Sequence, residues 1–164
     1  MKLIVAMSKN LGIGLKNKLP WRLKGDLDFF KNKTIGNGNN VILMGKNTWE
    51  SLPKKPLVNR FNCILSTSLN IDNSNSKSFK NELEFDTFIE NKDFDDVWII
   101  GGEEIYKHYI TSDKVEELYI TNIKNEIKCD TFFPKIPLNF KLVEISSKFI
   151  ENDIIYNYEK YIKL

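Results

Sequence analysis

Four short apolar runs punctuate an otherwise mixed chain. Residues 2–8 (KLIVAMS), 41–44 (VILM), 62–66 (NCILS) and 97–100 (VWII) are continuous rather than alternating. Runs of this length, bounded by turn residues, predict strands buried on both faces, and hence a mostly parallel sheet covered by helices. The C-terminal part reads differently. Residues 115–123, 140–149 and 154–164 alternate with period two, and the last two predict an antiparallel terminal hairpin. Helices are expected at about 25–33, at 46–52 before Pro53, at 86–91 and at 103–110. Residues 9–23 read as a loop holding Gly12, Gly14 and Pro20, and 36–40 (GNGNN) as a turn cluster. Residues 68–84 are polar and predict an irregular stretch with a short strand near Ser78 and Phe79. The expected architecture is three-layered α/β: a mostly parallel sheet of about eight strands, a C-terminal antiparallel hairpin and about four helices. Neither a repeat nor a linker divides residues 1–164, so one domain is expected.

Composition narrows the function classes without choosing among them. The chain has 41% hydrophobic and 28% charged residues and a formal net charge of +2. That charge is too small to imply a nucleic-acid or membrane partner. Cys63 and Cys129 are too far apart in sequence for a close metal-ligand pair, so neither a zinc site nor a disulfide framework is expected. The apolar run after Lys2 is too short for a signal peptide, and a reducing, cytoplasmic location follows as the default.

Asp26 is the most informative residue. It lies between Leu19-Pro20-Trp21 and Leu27, Phe29 and Phe30. On a helix starting near residue 24 or 25, Asp26 and Phe30 share one face, four residues apart. A carboxylate beside an aromatic ring in an apolar pocket is costly unless a hydrogen-bond-donating ligand meets it. The bland alternative is a helix N-terminal acid near the surface, favoured by the dipole. Cation usage gives a second pointer: 22 lysines against two arginines, Arg22 and Arg60. Where lysine is the default, an arginine marks a place for the planar bidentate fork. Arg60 is therefore a candidate carboxylate or phosphate clamp, and Arg22 reads better as a surface residue. Two strand-to-helix turns, Gly45-Lys46-Asn47-Thr48 and Gly101-Gly102, suit the ends of an extended phosphorylated cofactor. They differ from the six-residue dinucleotide fingerprint, and two ordinary helix starts would look the same.

Taken in order, seven segments resemble the dihydrofolate reductase family: Leu3–Gly14, Leu19–Trp21, Asp26 with Phe30, Met44–Ser51, Ile99–Gly102 with Ile105-Tyr106, Tyr119–Thr121, and Asp130–Pro134. The resemblance covers essentially the whole chain. It implies NADPH-dependent reduction of 7,8-dihydrofolate to tetrahydrofolate, with hydride delivered to pterin C6 and a proton to N5. In that resemblance Asp26 binds the pterin 2-amino group and N3, Thr121 supports Asp26, and Trp21 stands beside water on the substrate side. Leu27, Phe30, Leu52 and Leu57 line the pterin and benzoyl pocket, and Arg60 clamps the glutamate α-carboxylate. Ile4, Ala6 and Ile100 lend carbonyls and packing, and Tyr106 lies beside the nicotinamide. Cofactor contacts are expected from Ala6, Ile13, Gly14, Gly45, Lys46, Asn47, Thr48, Ser66, Thr67, Gly101, Gly102, Glu103 and Tyr106, with Gly101 and Gly102 joined by a cis peptide. Residues 11–22 would form the loop that closes over the nicotinamide. The resemblance also implies methotrexate binding and a monomer, or a fusion or partnership with thymidylate synthase. No metal is expected.

Four positions depart from the family pattern. Glu103 and Glu104 put negative charge beside the expected pyrophosphate. Thr67 stands where an arginine is common, which leaves Lys46 as the clear cation for a 2′-phosphate. Cys129 precedes Asp130 where glycine is frequent. Two other readings compete: a riboflavin-pathway reductase of the same fold, which would not need Asp26, Phe30 and Arg60 together, and a non-catalytic folate- or nucleotide-binding module.

Overall fold

The structure, a computed structural model, describes residues 1–164. Its elements in chain order are β1 (Lys2–Met7), β2 (Gly12–Gly14), α1 (Lys24–Ile35), β3 (Val41–Gly45), α2 (Lys46–Ser51), β4 (Phe61–Leu65), β5 (Ser76–Phe79), α3 (Glu82–Glu90), β6 (Val97–Gly101), α4 (Glu103–Ile110), β7 (Glu117–Ile123), β8 (Thr131–Phe132), β9 (Phe140–Ile145), β10 (Phe149–Glu151) and β11 (Ile154–Lys163).

Nine strands form one sheet in the order β10-β11-β7-β1-β6-β3-β4-β5, with β9 also paired to β11. The ladders from β7 through β5 are all parallel, and β11 joins β7 antiparallel. The continuous apolar runs are the parallel strands, as double-sided burial requires. Their alternation sorts side chains to two faces. Leu3, Val5, Val41, Leu43 and Ile99 join Tyr106, Tyr109 and Ile110 of α4 and Phe85 of α3 in one core. Ile4, Ile42, Met44 and Trp98 pack on the other face against Phe29 and Phe30 of α1 and Trp49 of α2. Each fully buried Leu or Ile contributes about 2 kcal/mol.

The structure corrects several expectations about residues 9–23 and the element ends. Gly12–Gly14, inside the stretch expected to be a loop, pairs with Thr131–Phe132 to form a separate two-stranded sheet. The short strand expected near Ser78 and Phe79 is present as β5, four residues long. Helix α3 begins at Glu82 because Asn81 caps it, its side chain accepting from the Glu84 amide at 2.9 Å, while Glu84 accepts from the Lys80 amide at 3.0 Å. The terminal hairpin is three strands: β9 and β10 both pair with the ten-residue β11, separated by Ser146–Lys148. No helix is long and apolar enough to cross a membrane.

Candidate active site

Asp26 sits in the first turn of α1, which runs across the β1–β7–β11 end of the sheet. Helix and sheet are fastened by Phe29 stacked on Tyr158, ring centroids 3.9 Å apart and planes at 18°. Beneath Asp26 lies Thr121, in register between Ala6 of β1 and Tyr158 of β11. Thr121 donates its hydroxyl to Asp26 Oδ1 at 2.6 Å. Asp26 Oδ2 has no hydrogen-bond partner in the protein. Three influences meet on the carboxyl. Burial penalises the charged form most, the Thr121 bond opposes it, and the like charge of Glu151 adds to the rise. Together they push the pKa up to about 6.

Glu151 was not among the residues singled out from the sequence. It stands on β10 and accepts from the backbone amides of Lys24 at 2.5 Å and Gly25 at 3.1 Å. The next residue, Asn152, donates its side-chain amide to the Arg22 carbonyl at 2.8 Å. These contacts span 126 residues and more, so no local pattern announces them. The nearest signal is the Asn152-Asp153 pair, which takes positive φ at the hairpin tip (51° and 62°).

Phe30, Leu52, Leu57 and Ile100 are partly buried around the same core as Ile4 and Met44, so they form one apolar wall on the Asp26 side. Leu27 is more open, at 45% exposure. Ile100 is brought out by a bulge: Leu43 faces Ile99 and Met44 faces Gly101, leaving Ile100 as the extra residue on β6. At the far end of this wall, Arg60 is only 7% exposed. It donates to the Val58 carbonyl at 2.9 Å and the Thr34 hydroxyl at 3.1 Å, and it has no acidic partner. Burial pulls its pKa below the ordinary guanidinium value. A buried cation held by neutral groups is a ready receiver for a carboxylate. Trp21 is buried with Leu23, Ile123 and Tyr156, and its Nε1 proton has no partner in the protein.

The two glycine turns are adjacent because β3 and β6 are neighbouring parallel strands. A Cβ on Gly45 would lie 4.0 Å from the Gly102 amide nitrogen, and one on Gly102 would lie 3.2 Å from Thr48 Oγ1. Gly101 has φ +118, and its added Cβ would meet the Tyr106 ring at 3.1 Å, so glycine is required on both counts. The Gly101–Gly102 peptide is cis. Tyr106 is buried and donates to the Ile4 carbonyl at 2.8 Å, which ties α4 to β1. Helix α4 has no side-chain cap, so its first amides remain free for an anion. Lys46 Nζ lies 3.1 Å from Ser68 Oγ, and Ser66 Oγ accepts from the amides of Ser68 and Leu69 at 3.2 Å each. Asn47 and Thr67 are exposed.

The loop that precedes α1 is held on residues 130–133. Asp130 donates its amide to the Gly14 carbonyl at 2.9 Å, and its carboxylate accepts from the Lys16 amide at 3.0 Å. Ile13 packs against the core from this loop. The profile of the dihydrofolate reductase family matches residues 1–163. The chain belongs to the dihydrofolate reductase family. The dihydrofolate reductase of Drosophila melanogaster is 36% identical over 155 residues, covering 86% of this chain and 82% of that protein. That of Aedes albopictus is 33% identical over 184 residues, covering 99% and 96%. The bifunctional dihydrofolate reductase-thymidylate synthase of Paramecium tetraurelia is 35% identical over 161 residues; these are 98% of this chain and 34% of that protein. As a member of this reductase family the chain is an oxidoreductase.

Two departures from the family pattern have structural answers. Glu103 turns its carboxylate to the Phe132 amide at 3.2 Å and to Lys107 Nζ at 3.5 Å, so its charge is engaged with β8 and a lysine. Cys129 packs directly on Gly12: a Cβ there would lie 2.3 Å from Cys129 Sγ and 2.8 Å from Ser8 Oγ. The larger residue at 129 is accommodated because residue 12 has no side chain.

Proposed function

We propose that residues 1–164 form one domain catalysing NADPH-dependent reduction of 7,8-dihydrofolate to 5,6,7,8-tetrahydrofolate. The observation that carries this reading is the Asp26–Thr121 pair: a partly buried carboxyl with one oxygen bonded to Thr121 and the other without a protein partner. Two acceptor oxygens match the paired donors of the pterin, its 2-amino group and N3. The apolar wall of Phe30, Leu52, Leu57 and Ile100 suits the flat rings, with Ile4 and Ala6 beside the reacting edge. Buried Arg60 suits the α-carboxylate of the glutamate tail.

The residues also fit NADPH. The adjacent glycine turns admit a phosphate backbone where any Cβ would intrude, and Lys46, Thr48, Ser66 and the free amides of α4 supply donors. Ala6, Ile13, Gly14, Gly45, Asn47, Thr67, Glu103 and Tyr106 complete the cofactor side. NADPH, when bound, supplies the hydride that reduces pterin C6. Lys46 is the cation that would favour a 2′-phosphate over NADH. Asp26 holds the pterin by the side remote from N5, so the N5 proton travels through water, with Trp21 Nε1 offering that water a donor. Asp26 biases the ring electrostatically, and the loop over residues 11–22 keeps other water out. The enzyme works in the cytoplasm as a monomer or beside a thymidylate synthase.

Loss of NADPH absorbance in the presence of dihydrofolate, abolished by methotrexate, is the expected result. A folded protein that binds folate without turnover would replace this reading with a binding module.

A further inference from the structure

Helix α1 begins without a cap of its own: Leu23 occupies the N-cap position and offers no side-chain acceptor. The missing acceptor comes from the opposite end of the chain. The two carboxylate oxygens of Glu151 take the amides of Lys24 and Gly25, one oxygen to each. Those amides immediately precede Asp26. Around them the hairpin tip makes further holds: Asn152 donates to the Arg22 carbonyl at 2.8 Å, and Tyr158 donates to the Gly25 carbonyl at 3.4 Å. The segment from Arg22 to Gly25 joins the active-site loop to the helix bearing the acid, so the β10–β11 tip grips the chain where loop and acid meet.

We propose that Glu151 is a positioning residue for Asp26, fixing the first turn of α1 through two amide bonds and holding a like charge beside the pterin-binding carboxyl. The proposal rests on the reading of Asp26 as the pterin acid. An acid that is ionised too readily would lose the proton balance that N5 protonation draws on, and a like charge delays ionisation. The helix dipole stabilises Glu151 where it stands, so the two effects come from one side chain.

Other groups facing Asp26 do not supply this charge. Thr121 of β7 is a neutral donor. Tyr156 and Tyr158 of β11 have phenol pKa values raised by burial and stay neutral around Asp26. Lys24 on the same helix is turned to Asp28, Nζ to Oδ2 at 2.9 Å. Ala6 of β1, in register with Thr121, carries no charge. Glu151 is thus the anion that the site itself contributes near Asp26.

The test separates charge from geometry. Glu151→Gln keeps the size and removes the charge; Glu151→Asp keeps the charge and shortens the reach. The readouts are the ¹³C-carboxyl titration of Asp26 and the pH profile of single-turnover hydride transfer. Glu151→Gln is expected to lower the Asp26 midpoint by roughly half a pH unit and to move the rate profile with it, while Glu151→Asp leaves the midpoint within about a tenth of the wild type. Unchanged midpoints in a folded Glu151→Gln protein would overturn the proposal, because a merely structural cap alters stability without moving the titration. Should Glu151→Gln fail to fold, the wild type still decides: the Asp26 carboxyl curve must carry a second inflection where the Lys24 and Gly25 amides report Glu151 ionising, and a single-site Asp26 curve would overturn it. The titration needs no turnover, so an inactive wild type would sink the reductase reading while leaving the Glu151–Asp26 coupling measurable.

Discussion

Thr121 donates to Asp26 across 2.6 Å from a strand 95 residues further along the chain. The bond and the burial of the carboxyl act in opposite senses. Burial raises the pKa, the hydrogen bond to the ionised form lowers it, and burial wins, leaving a carboxyl that titrates at about 6. An acid placed there changes charge close to neutrality, where a reaction that consumes a proton can use it.

Removing the opposing influence should move that balance further. Thr121→Val keeps the shape of the side chain and loses the donor. The Asp26 midpoint, read by ¹³C NMR, is expected to rise above the wild-type value by up to about one pH unit. A midpoint at or below wild type would contradict the sense assigned to the bond.

The raised pKa has a cost in stability. The folded state binds the Asp26 proton more tightly than the unfolded chain, whose carboxyl titrates near the ordinary value of 3.8. Stability from this group is therefore present below about pH 4 and is lost as pH rises through about 6, by roughly 2–3 kcal/mol. Asp26→Asn should be more stable than wild type at neutral pH by roughly 1–3 kcal/mol, with the difference shrinking towards pH 4. Urea denaturation of both proteins across that range measures it.

Arg60 should govern substrate binding rather than chemistry. Arg60→Lys keeps a charge and loses the bidentate fork. The KM for dihydrofolate is expected to rise roughly 10- to 100-fold with little change in the KM for NADPH. Equal effects on both would place Arg60 outside the substrate pocket.

Gly101 tolerates no side chain. Gly101→Ala sets a Cβ at φ +118 and 3.1 Å from the Tyr106 ring. It should lose roughly 1–3 kcal/mol of stability and weaken NADPH binding, seen in the melting temperature and by titration calorimetry.

Much of this was legible in the chain because the physics is local. The VILM and VWII runs could only be strands buried on both faces, and Gly45 and Gly101 follow them directly. Asp26 and Phe30 share a face by helical spacing alone. What escaped is non-local. Strands β2 and β8 are three and two residues long, too short to show a period, and exist because Gly12 and Gly14 meet Phe132 and Thr131. The bulge at Ile100 arises from register against β3, which no run of apolar residues encodes. Glu151 reads as one acid among many until β10 folds it onto the start of α1.

The most direct measurement compares wild type and Asp26→Asn for methotrexate-sensitive oxidation of NADPH by dihydrofolate, with NADPH affinity measured on both. The account predicts turnover in the wild type, a loss of at least about a hundredfold in Asp26→Asn, and equal NADPH binding. Near-wild-type turnover by Asp26→Asn would contradict it.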